Sequence, residues 1–178
     1  MHPDAENVLA YWTEAGPKKW FEKDEAFDRD FRERFLALHE RAAAGELDED
    51  WGEEPRAALA LVILLDQFPR NAFRGSARAF ATDAHARRVA DRAIVAGFES
   101  QVPSALRFFF AMPFEHSESL ADQDRSIALQ RGLGTLEWAE KHREIIARFG
   151  RFPHRNAVLG RESSDEERAF LASGGFAG

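Results

Sequence analysis

The chain has 178 residues, no cysteine and a formal net charge of −7, with 44% hydrophobic and 31% charged residues. Disulfides, thiol catalysis and cysteine-ligated zinc or iron–sulfur centres are therefore excluded, and the acidic balance argues against general nucleic-acid binding, which needs a basic face to neutralise phosphates. No apolar run reaches the roughly 18 residues needed to span a bilayer, and the polar start of the chain is unlike a secretory signal. The expectation is a cytoplasmic protein with no membrane partner, folded as one helical domain over residues 1–178 with a frayed tail at 173–178.

Asp4 is placed to cap a first helix that carries Ala5, Val8, Leu9 and Trp12 on one side and ends at Gly16-Pro17. Asp24 opens a second helix, where Phe27, Phe31, Phe35, Leu38 and Ala42 recur at three- and four-residue steps as an aromatic stripe ended by Gly45. The acidic stretch Glu46 to Glu54 reads as a loop. Pro55 then starts a helix whose run from Ala57 to Leu65 is apolar on every side, and which should stop by Pro69 because the residue before a proline avoids the α region.

Further helices are expected over Ala77 to Ala96, with Gly97 as its cap, and from Pro103 to Ala111. Ser119 with Asp122 has the capping-box spacing and opens the next one. Gly132 and Gly134 bracket a turn, and the following helix runs to Phe149 and closes on Gly150. A last helix begins at Ser163 or Ser164, each with a glutamate three residues on.

One internal echo stands out. Phe68-Pro69-Arg70-Asn71-Ala72 returns as Phe152-Pro153-His154-Arg155-Asn156-Ala157 with one residue inserted, each copy expected just past a helix end. The second copy lies in a window, between Glu144 and Glu162, that holds no acid but contains Arg148, Arg151, His154, Arg155 and Arg161. Guanidinium forks grip carboxylate or phosphate in two places, and asparagine adds a neutral donor, so two such turns brought together would clamp an anion. The structural rival pairs these arginines with carboxylates such as Asp66, Glu118 and Asp124. A third polar cluster, Glu115 to Glu118, leads into Gln123 and Asp124 on the helical face of Leu120 and Ile127; such residues must find partners or line a cavity. His142, in step with Ala139, Ile146 and Phe149, reads as a buried, hydrogen-bonded core histidine.

Familiar catalytic patterns are missing. No phosphate-binding glycine loop and no Gly-x-Ser-x-Gly elbow occurs. The six histidines show no His-Glu-x-x-His spacing, and His116-Ser117-Glu118 lacks the cysteine pair of zinc deaminases. Neither metal nor cofactor is assigned.

Leu65-Asp66-Gln67-Phe68-Pro69-Arg70-Asn71 continuing to Phe73-Arg74-Gly75, Met112-Pro113-Phe114 followed by His116-Ser117-Glu118, and Arg148-Phe149-Gly150-Arg151-Phe152-Pro153-His154-Arg155-Asn156 together resemble an uncharacterised, mainly bacterial family known as a domain of unknown function. The resemblance runs from about Val8 to Leu171. It implies a tetratricopeptide-like, all-α superhelix of packed helix pairs and carries no activity, although the sequence shows no clean repeat of about 34 residues.

The functional expectation is a pocket for a small carboxylate- or phosphate-bearing ligand formed by Arg70, Asn71, Arg74, His116, Glu118, Gln123, Arg151, His154, Arg155 and Asn156. An interaction module holding a peptide carboxylate is the alternative.

Overall fold

The computed structural model describes residues 2–175. Every regular element among them is helical: α1 (Pro3–Phe21), α2 (Glu25–Ala43), α3 (Asp48–Trp51), α4 (Pro55–Val62), α5 (Phe68–Ala72), α6 (Asp83–Val95), α7 (Met112–Glu115), α8 (Leu120–Gln130), α9 (Leu136–Phe149) and α10 (Asp165–Ala172). A π-helical turn, Ile63–Gln67, joins α4 to α5, and 3₁₀ turns cover Ala77–Phe80, Phe98–Gln101, Ser104–Phe110 and Pro153–Arg155. The helices differ too much in length to repeat one pair. No described helix is long and apolar enough to cross a membrane. The chain divides into two compact units, residues 1–74 with 78–113, and residues 75–77 with 114–178.

In the first unit α1 and α6 pack on α4, while α2 packs on α5 and the π turn. Proline stands at the start of α1, with His2 rather than Asp4 in the cap position and no side-chain bond there. Gly16, at φ 72° and ψ 175°, interrupts α1, but helix resumes through Pro17 to Phe21, so the expected stop is a kink. Asp24 caps α2 as expected, accepting from the amides of Ala26 and Phe27, both at 3.0 Å. The stripe packs Phe31 against Trp12 at 5.3 Å and Phe68 at 5.1 Å between ring centres. Each such aromatic pair contributes about 0.5–1.5 kcal/mol beyond area burial. His39, rather than Leu38, completes the buried face. The acidic stretch expected as loop contains α3, which forms because it buries Trp51.

Pro69 does not stop the helix. The chain widens into the π turn, where the Phe68 amide reaches back to the Ile63 carbonyl. That leaves the Leu64 carbonyl to His39 Nδ1 at 2.9 Å. Pro69 has no amide to offer the Leu65 carbonyl, which accepts from Thr82 Oγ1 at 2.5 Å. The Asp66 carbonyl accepts from Arg70 Nη1 at 2.8 Å. Side chains from α2, the Thr82 turn and α5 thus satisfy the carbonyls a proline would otherwise orphan, and the helix continues. The helix expected over 77–96 is correspondingly split into a 3₁₀ turn and α6, with Thr82 between them. The segment expected as helix over 103–111 is 3₁₀ to Phe110.

In the second unit α8 packs on α9, and α10 on the Pro153–Arg155 turn. Ser119 has cap backbone geometry but no cap hydrogen bond, because Asp122 accepts from Ser117 Oγ at 2.6 Å instead. At α10 the capping box is complete, with Ser164 and Glu167 each bonding the other's amide. The cap of α9 is Gly150 at φ 70°, a left-handed position that glycine takes without the Cβ clash. After α10, Ser173 and Gly175 continue the hydrogen bonding to Ala169 and Phe170; the rest of the expected tail, 176–178, lies outside the described residues.

The orientation of α8 departs in part from the expectation: Gln123 is buried and Ile127 half-buried, but Leu120 is not. Gln123, Ser126 and Gln130, at spacings of three and four, are at most 1% exposed, whereas Leu120 is 44% exposed. Asp124 also faces outward. A helix that buries its polar face needs a polar interior to bury it against.

Candidate functional site

The expected site residues fall into two groups. Arg70, Asn71 and Arg74 belong to the first unit, on α5 and its exit. The Arg70 fork holds both oxygens of Asp83, at 2.8 and 3.0 Å, with Asp66 Oδ1 3.2 Å away. Arg74 holds both oxygens of Asp28 at 3.0 and 3.2 Å, and Asn71 donates to the same carboxylate at 2.7 Å. The first Phe-Pro-Arg-Asn copy is therefore helical and its cations are spent on intramolecular carboxylates. The second copy is a 3₁₀ turn, so the echo in sequence is not an echo in backbone.

The second unit holds the other seven. Arg151 grips Glu167 at 2.7 and 2.9 Å and the Glu162 carbonyl at 2.7 Å. That fork, with the Ser164 amide, holds the Glu167 carboxyl down to about 2. Glu118 accepts from Arg161 at 2.7 and 3.0 Å and from the Phe152 amide at 2.8 Å. Burial pushes its carboxyl up, but these donors and the Arg155 charge outweigh it and leave it below the usual range. Asn156 bridges Ser163 and Arg161, both at 3.0 Å. Much of the acid-free window thus pairs with acids elsewhere, as the structural rival anticipated, though with Glu166 and Glu167 of α10 beside Glu118 rather than with Asp66 or Asp124.

His154 and Arg155 meet a different environment, around the buried ring of Phe152, while His116 faces His142 and Gln123 bonds the Glu115 carbonyl. The Arg155 guanidinium lies 4.5 Å above that ring, with His154 at 5.6 Å and His142 at 5.7 Å between ring centres. His116 is 6.1 Å from His142. Glu115 and His142, named in the sequence but not assigned to the site, join this group. Glu115 Oε1 stands 3.1 Å from His142 Nδ1, which also lies 2.8 Å from the Trp138 carbonyl. Gln130 donates to the other Glu115 oxygen and, at 2.9 Å, to Ser126. Gln123 Nε2 ties the carbonyls of Glu115 and Ser117 at 2.6 and 2.7 Å, while its buried Oε1 has no hydrogen-bond partner among the described residues.

Burial above all, with the neighbouring His116, Arg155 and His154 side chains adding to it, pushes the His142 imidazole down to about 3 against the pull of the Trp138 carbonyl. His142 is thus the buried, hydrogen-bonded histidine its helical spacing suggested, but with ionisable neighbours that spacing could not reveal. Glu115, His116 and His142 also bring donor atoms within 4.8 Å of one another, and are the residues here that could hold a metal ion. A groove of about 290 Å³ on the first unit, bordered by Asp4, Asn7, Arg34, Phe35, Leu38 and Arg41, has its arginines paired with Asp30 and Glu46.

The chain belongs to a family described as a bacterial protein of unknown function, DUF924, whose model matches residues 8–175. It is similar to a solved protein of unknown function from Agrobacterium tumefaciens, with 50% identity and a TM-score of 0.92 over 95% of this chain and 97% of that one. Among functionally curated proteins none matches.

Proposed function

We propose that this member of the DUF924 family binds a small anionic molecule in the polar interior of its second unit. Arg155, His116 and His154 would receive the carboxylate or phosphate, and Gln123, Gln130 and Glu115 its uncharged part. The observation that carries this reading is the inward polar face of α8, buried with Gln130 on the Glu115 carboxylate and Gln123 on the carbonyls either side of His116. An apolar interior would stabilise the unit more cheaply, and such departures from the folding optimum concentrate where a ligand must be met. The sign of the ligand follows from the Arg155 guanidinium, buried over the Phe152 ring. The orphan Gln123 oxygen adds a demand for a hydroxyl or amine donor on the same molecule. Arg70, Asn71 and Arg74 are not assigned to this ligand, because Asp83 and Asp28 already fill their donors.

A thermal-shift series with phosphate, nucleotides, and di- and tricarboxylates tests it. A ligand at a hundred times its dissociation constant stabilises the folded state by about 2.7 kcal/mol, which raises Tm by about 5–10 °C at this chain length. The expected result is such a rise in the wild type and none in Arg155→Met. No rise with any anion, together with a marked loss of stability in Arg155→Met, would make the cluster scaffolding.

A further inference from the structure

We infer that Glu115, His116 and His142 bind one divalent ion of the zinc type, with Arg155 beside it to hold an anionic co-ligand. One carboxylate and two imidazoles are the donor set of zinc sites that keep a fourth position open for water or substrate. All three residues are buried, at 4, 8 and 6% exposure, and their donor atoms lie within 4.8 Å of one another. The 3.1 Å between Glu115 Oε1 and His142 Nδ1 suits one shared ion: ligands about 2.1 Å from a metal, at right angles to tetrahedral, are about 3.0–3.4 Å apart. The ion replaces the proton His142 Nδ1 now shares with Glu115 and the Trp138 carbonyl, and that proton moves to Nε2 or leaves.

The surroundings resemble a supporting shell. Gln130 fixes the far oxygen of Glu115, and Ser126 fixes Gln130. Gln123 clamps the backbone on both sides of His116 through the Glu115 and Ser117 carbonyls. Outer partners of this kind set ligand orientation in metal centres. A metal centre therefore explains why α8 turns its polar face inward. Charge balance leads to the co-ligand: a dication on one carboxylate retains a positive charge, so the open position suits an anion. Only this co-ligand rests on the anion-binding reading above.

The test uses the untagged full chain, stripped with chelator, then titrated with Zn²⁺ by calorimetry and with Co²⁺ by visible absorption. One equivalent should bind, with the absorption of a low-coordinate nitrogen and oxygen site. Glu115→Gln and His116→Ala should lose it, Gln130→Leu should weaken it by about 10–100-fold, and His85→Ala, a histidine paired with Asp48 in the first unit, should leave it intact. Metal-free melts establish that each variant folds; if either ligand variant does not, Gln130→Leu and the Co²⁺ spectrum decide. Absence of saturable binding, or binding unchanged in all three site variants, overturns the inference. Phosphate added to stripped and loaded protein separates the two readings. Metal binding without any phosphate response removes the anion reading alone, and phosphate binding without metal binding removes the metal site alone.

Discussion

Replacing Glu118 by glutamine tests how the second unit is held around its polar interior. The carboxylate accepts two bonds from Arg161 and one from the Phe152 amide, and so fastens the chain before α8 to the turn after α9. Glutamine keeps the shape but removes the charge and turns an N–H toward a guanidinium. Hydrogen bonds to charged groups contribute about 1.5–3 kcal/mol. Solvent screening reduces this, because the two side chains are 28 and 24% exposed; we expect a loss of about 2 kcal/mol, or about 4–8 °C in Tm for a chain of this size. The loss should depend on pH with a definite sign. The folded carboxyl titrates below its ordinary value of 4.5, so its contribution is complete above that pH and fades as pH falls below it. Urea unfolding of wild type and Glu118→Gln at neutral pH and near pH 4 measures both effects. A neutral-pH difference under about 0.5 kcal/mol, within the range of ordinary surface substitutions, would refute this reasoning. So would a difference that does not shrink in acid.

Thr82→Val leaves the Leu65 carbonyl without its side-chain donor, which should cost about 1–3 kcal/mol in chemical denaturation without changing the helical circular dichroism. Ser164→Ala removes the α10 cap and should cost about 1 kcal/mol, seen as faster hydrogen exchange in the first turn of that helix. Glu167, held near 2 against an ordinary 4.5, contributes stability above pH 4.5 that is lost as pH falls toward 2. Glu167→Gln should flatten the acid limb of the stability profile over that window.

Helix starts and stops that depend on neighbouring residues were legible in the sequence. Asp24, the Ser164–Glu167 box and Gly150 act locally, and the phenylalanine stripe of α2 packs as its period requires. What escaped depended on distant partners. Pro69 continues a helix because Thr82, thirteen positions later, satisfies its orphaned carbonyl and His39 the next one. The Ser119–Asp122 box fails because Ser117 takes the aspartate. For α8 the hydrophobic pattern pointed Leu120 inward, but the buried face is carried by Gln123, Ser126 and Gln130, with Ile127 only half-buried. Glu115 and His142 meet from different helices, a pairing that no short motif spacing encodes.

The most direct test of the central claim replaces Glu115 by methionine and Gln130 by leucine together, removing the carboxylate with its amide donor while His142 keeps the Trp138 carbonyl. Unfolding free energy and anion-induced thermal shift would be measured on the same protein. If these groups are buried for binding, the double variant should be as stable as the wild type or more so, since apolar replacement of buried ionic groups is neutral or stabilising by about 1–4 kcal/mol, and the ligand response should vanish. A double variant destabilised by about 3 kcal/mol or more, as happens when a structural network is broken, or one that still responds to the anion, would contradict the account.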